Sequence, residues 1–146
     1  MRSLTAAQAQ DWCSRRGIVL DSRSRPAPPA QAVSVAIPAD SGARVALIGQ
    51  QFGALGGETE VLVWFTEWGI WPSGERPHIF DRFRASYGET RPLIEVPAFL
   101  FLSSEAQDAQ SFATLGVLFL WDVNVVGASG ERFLLYSHDE TVDVLL

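Results

Sequence analysis

The chain contains no lysine. All eleven of its basic residues are arginines, a bias that a GC-rich coding sequence explains together with the abundant alanine. It has one cysteine, Cys13, so an internal disulfide is excluded and nothing points to an oxidising compartment. The opening MRSLTAAQAQDWC lacks the apolar run of a signal peptide. The longest apolar stretch, LGVLFLW at 115–121, falls far short of the roughly 20 residues of a membrane span. A soluble, cytoplasmic protein is the expectation. Nucleotide and hydrolase signatures are missing too: FGALGGE at 52–58 lacks the Lys and Ser/Thr of a phosphate-binding loop, and no Gly-x-Ser-x-Gly elbow occurs.

What is present is acidic and aromatic. Net charge is −6, with five Trp and nine Phe. Residues 1–25 carry five Arg against two acids, whereas residues 92–146 carry one Arg against eight acids. Such a chain repels phosphate backbones, which argues against nucleic-acid binding. A basic partner would be steered towards the acidic half.

The 146 residues suit one domain. Thr5 and Gln8 have capping-box spacing and Gly17 is placed as a left-handed stop, so a short helix should dock through Ala9, Trp12 and Cys13. SRSRPAPPAQ, 22–31, reads as a stiff connector. From Val33 the period changes to two: Val33, Val35 and Ile37, a turn at Asp40-Ser41-Gly42 and the returning RVALIG predict a β-hairpin, with FGALGGE as a loop. EVLVWFTEW, 60–68, is apolar on both faces, with Trp68 on the face of Leu62 and Trp64, and predicts a central strand.

Pro77 to Gly88 predicts a helix with Ile79, Phe80, Phe83 and Tyr87 buried and His78, Asp81 and Arg82 outward. Arg82, Arg84 and Arg91 have enough nearby acids to form a salt-bridged structural set. LIEV, 93–96, reads as a short edge strand, and Ser104 with Gln107 as a second capping box opening a helix to about Leu120. Val123–Val125 and Phe133–Tyr136 flank Gly-Ala-Ser-Gly as a hairpin. In that hairpin Asp122 and Asn124 share an apolar face, which requires either a bulge or specific partners for both.

Two stretches could carry chemistry. In WGIWPSGERPHIF, 68–80, Trp68 and Trp71 are either an aromatic rim with Glu67, Glu75, Arg76 and His78 around it, or a packed strand-to-helix corner. Apolar aromatics at strand ends usually pack, which favours the corner. In SHDE, 137–140, an extended backbone points His138 and Glu140 to one side and Asp139 to the other. With His78 as a third group they would form a metal or proton-transfer site. Against it, two histidines without recognised spacing are a poor donor set, and Arg82 stands one turn from His78. The other reading of Ser137, His138 and Asp139 is local backbone bonding at a strand end.

The run Trp71-Pro72-Ser73, FRASYG at 83–88, EVPAFLF at 95–101, then Trp121-Asp122 and SHDE resembles a group of small uncharacterised bacterial proteins over about half of the chain. The resemblance implies no activity. Where its pattern has Pro-Gly-His-x-Phe, this chain has Pro97-Ala98-Phe99-Leu100-Phe101, and the missing histidine counts against a shared metal or acid–base site.

The reading is therefore a single α+β domain over 1–146, with an N-terminal helix within 1–21, the connector 22–31 and a body from 32 to 146. Its mostly antiparallel sheet has about five to seven strands covered by two to three helices. The expected function is non-catalytic binding of a protein partner of basic character, an immunity-type neutraliser being one such role. Trp71, Arg76, His78, Asp139 and Glu140 are the expected contacts, with no cofactor, metal, nucleic acid or membrane. The alternative is a hydrolase or metal-dependent enzyme using His138, Glu140 and His78.

Overall fold

A computed structural model of the chain describes residues 1–69 and 78–146. The N-terminal helix, α1 (Ala6–Ser14), starts at the capping box that its sequence encodes. Thr5 Oγ1 accepts from the Gln8 N–H at 3.3 Å, and Gln8 Oε1 accepts from the Thr5 N–H at 2.9 Å. Gly17 ends the turn that follows with φ +70°, and the Ile18 N–H returns to the Cys13 carbonyl at 3.1 Å. These reciprocal bonds satisfy groups that a short helix would otherwise leave orphaned. Ahead of α1 lies a strand that its sequence does not announce, β1 (Arg2–Leu4).

The remaining described elements are β2 (Val33–Ala36), α2 (Ser41–Ala54), β3 (Glu60–Glu67), α3 (His78–Ser86), β4 (Ala98–Leu102), a 3₁₀ turn (Ser103–Glu105), α4 (Ala106–Leu118), β5 (Asp122–Gly127), β6 (Phe133–Ser137) and β7 (Thr141–Leu145). The seven strands form one antiparallel sheet in the order β1-β4-β3-β5-β6-β7-β2. This is the expected α+β fold.

Both faces of the central strands are covered. On one, Val61, Val63, Phe65, Phe99, Val123, Val125 and Tyr136 pack under α2, α3 and α4, with Phe112 of α4 at the centre of an aromatic cluster. On the other, Leu62, Trp64, Leu100, Val126 and Leu135 pack under α1. Alternation along β3 feeds both cores, which is why its sequence is apolar without a break. Helix α4 lies close to the sheet because residue 116 is glycine: a Cβ there would stand 2.5 Å from Phe65 Cε1.

Several expectations are corrected. RVALIG is not a returning strand but the middle of α2, and residues 52–54 are its end rather than a loop. Asp40 acts as an N-cap, accepting from the Ala43 N–H at 2.8 Å, so the apparent turn residues are a helix start. The described residues thus carry four α-helices. LIEV is a turn, and the strand is the apolar AFLFL beyond Pro97.

Within α3, Ile79 is exposed and Arg84 is buried. Its Nη1 lies 3.5 Å from Asp81, its Nη2 donates to the Arg91 carbonyl at 2.8 Å, and Arg91 pairs with Glu89. Of the expected set, Arg84 and Arg91 are paired, with Arg84 drawn inward, whereas Arg82 is exposed and takes no part in an ion pair among the described residues. The second capping box is replaced by Glu105, whose carboxylate accepts from the Leu102 N–H at 2.9 Å.

Candidate functional site

A bulge builds the site. Phe65 pairs with Val123 but Glu67 pairs with Asp122, leaving Thr66 as an extra residue in β3. Alternation restarts one residue late beyond it. Glu67 therefore joins Asp122, and Trp68 packs against the core under α2–α4, half-buried, rather than on the Leu62–Trp64 face expected of it. The two polar residues of β5 each have a partner, which resolves the hairpin conflict. Asn124 Nδ2 donates to Thr66 Oγ1 at 3.0 Å, and Asp122 Oδ1 accepts from the His138 N–H at 2.8 Å.

His138 completes the cluster. Its ring Nδ1–H donates to Asp122 Oδ1 at 2.7 Å, and its Nε2 lies 3.6 Å from Asp139. The hydrogen bond to Asp122 holds the imidazolium and raises the His138 pKa above its ordinary value, with Asp139 and Glu67 adding to the effect against partial desolvation. One donor atom each from Glu67, Asp122 and His138 lies within 4.8 Å of the others. The cationic place beside them is taken by Arg25, whose Nη1 is 3.7 Å from Glu67 and 3.6 Å from Asp122. Arg25 is held there by a turn in the connector, where Asp21 Oδ1 accepts from the N–H groups of Arg23 and Arg25 at 2.8 and 2.9 Å.

Beside this cluster opens a cleft of about 430 Å³ between α1, the connector and the end of β3, with Gln10, Arg25, Glu67, Trp68, Ile94 and Pro97 among its walls. Ile94 is 77 % exposed.

The residues expected to act together are distributed differently. Residues 138–140 form a turn rather than an extended strand, and Glu140 has φ +58°. Its carboxylate turns away to the buried Arg44, at 2.6 Å from Nη2. His138 is held by Asp122, and His78 is exposed at the start of α3. No hydrogen bond or ion pair among the described residues joins His138, Glu140 and His78. Asp139 is exposed; Trp71 and Arg76 lie outside the described residues, as does Pro77.

Sequence reasoning missed the grouping of Glu67, Asp122 and Arg25. The conflict at Asp122 and Asn124 signalled that polar partners were needed, but the bulge that supplies them leaves no mark in the composition of β3. Cys13 is fully buried, and desolvation pushes its thiol up to about 12, so it is an inert core residue.

No protein-family model matches the chain, and no curated protein or solved structure matches it. No helix among the described residues is long and apolar enough to cross a membrane.

Proposed function

We propose that the chain is a non-catalytic binding module for a protein partner of basic character. The contact is the end of the sheet that carries Glu67, Asp122, Asp139 and Glu140. The observation that carries this reading is the cleft at that end of the sheet, where the exposed Ile94 and half-buried Trp68 adjoin walls that carry Glu67, Arg23 and Arg25. An apolar anchor rimmed by charge is the usual anatomy of a protein contact. The acidic excess of residues 92–146 would accelerate the approach of a basic partner. Neutralising a basic toxin, as an immunity-type protein does, is one role of this kind.

Affinity capture from the native host, run in parallel with wild type and Ile94→Arg, tests the proposal. Ile94 is exposed, so the variant should fold with stability within about 0.5 kcal/mol of wild type. Wild type should retain a basic protein that salt releases, and the variant should lose it. Equal capture by both proteins would reject the cleft as the contact.

One observation favours a second reading, a divalent-metal enzyme: the convergence of Glu67, Asp122 and His138. Two carboxylates and one imidazole are a plausible donor set, although Arg25 competes for the same position. Calorimetric titration with Zn²⁺ and Mn²⁺ separates the readings. The binding-module reading expects no stoichiometric uptake by wild type, and saturable one-to-one binding that is lost in His138→Ala would favour the enzyme.

A further inference from the structure

The sheet has two edges, and they are protected differently. At one edge, β1 presents the exposed charged Arg2, a common device against unwanted strand pairing. At the other, β2 carries no charge from Gln31 to Pro38. All four of its residues are exposed, Val33 by 63 % and Val35 by 40 %.

These valines are paired with Val144 and Val142, which places them on the face that α2, α3 and α4 cover elsewhere. The apolar layer of the core therefore runs out to the edge of the sheet and stops there uncovered, with Val45 of α2 exposed as well.

The free hydrogen-bonding groups can be assigned. Ile37 donates its N–H to the Glu140 carbonyl at 2.8 Å. Backbone groups in an antiparallel ladder alternate in direction, so Val35 and Val33 also bond inward, to β7. Ser34 and Ala36 then point their N–H and C=O groups away from the sheet. Residues 32–36 read Ala-Val-Ser-Val-Ala, which is the same in both directions.

An antiparallel partner with this sequence, related by a two-fold axis through Ser34, would meet the strand in perfect correspondence. Ser34 would face Ser34, each Val33 would face Val35, and each Ala32 would face Ala36. The Ser34 N–H groups would donate to one another's carbonyls, and each Ala36 N–H to an Ala32 carbonyl. All four valines would share one face, closing the uncovered apolar layer.

We infer that β2 is a self-association edge: two copies of this chain pair antiparallel through residues 32–36 into one continuous sheet. The occupant is a second copy because the palindrome makes the edge self-complementary, as a two-fold interface requires. Pro29 and Pro38 bracket the strand and limit the pairing to this short segment. The pair closes on itself, since the charged β1 edge offers no matching surface for further copies. So short an interface is small by the standard of stable complexes, and a dissociation constant in the roughly micromolar-to-millimolar range is expected.

Sedimentation over protein concentrations from about 10 µM to 1 mM should show a monomer–dimer equilibrium. Hydrogen exchange supplies the residue-level readout. The Ser34 and Ala36 amides should slow in proportion to the dimerised fraction, by about twofold at 1 mM for a dissociation constant of about 1 mM and by about tenfold or more for one of about 20 µM or below, while those of Val33 and Val35 are protected throughout. Ser34→Pro removes an outward donor and no bond to β7, so it should leave the monomer folded and abolish the dimer. Val35→Lys tests the same edge by charge repulsion if the proline variant does not fold. A protein that stays monomeric to 1 mM, with fast exchange at Ser34, would overturn the inference. So would a dimer that survives both substitutions.

Discussion

At the scale of single residues, Trp12 and His138 do different kinds of work. Trp12 is 2 % exposed, its Nε1 donates to Glu60 at 3.4 Å, and the Arg16 guanidinium lies 4.1 Å over its ring while also pairing with Glu60. It is the main weight holding α1 to the sheet. Trp12→Ala should cost about 3–5 kcal/mol, read as a lowered urea midpoint; a change under about 1 kcal/mol would show that α1 is held by other contacts. His138 has a folded-state pKa above its unfolded one, through the hydrogen bond to Asp122. The stability this contributes is fully present below the unfolded value of about 6.5 and is lost as pH rises through the folded value. Asp122→Asn should bring the His138 titration, followed by NMR, back down and flatten that stretch of the stability curve. An unchanged titration would assign the shift to another neighbour.

At the scale of elements, the chain was most legible where local signals agreed. The capping box of α1 and the apolar run of β3 each follow from residues within a few positions, and both form as expected. The failure at α2 has a physical cause. Asp-Ser-Gly serves a tight turn and a helix N-terminus equally well, and a short apolar run such as VALI fits either period. The decisive pattern was longer: Arg44, Ile48, Gln51, Phe52 and Leu55 recur at helical spacing and are the buried side of the element. Asp40→Ala should therefore behave as a cap deletion, costing about 1 kcal/mol, whereas Asp40→Asn should cost little. Equal losses from both would mean that Asp40 acts through its charge. The candidate site was half legible. His138 stood out as one of two histidines, but its partnership with Asp122 and Glu67 depends on register and on a bulge, which are set by pairing across the sheet.

At the scale of the whole molecule, strand order departs sharply from chain order. Strand β1 pairs with β4, and β2 has β7 as its one neighbour among the described strands, with Val35 opposite Val142. Long loops must close before these pairs form, which slows folding. During synthesis, the uncharged β2 is made well before β7 and stays without its partner until residues 141–145 have been made. A nascent chain stalled before Thr141 would expose that strand on both sides, and many such chains on one message would carry the same self-pairing sequence close together. Synonymous codons that lengthen the interval between making β2 and making β7 should therefore raise the insoluble fraction without altering a single residue.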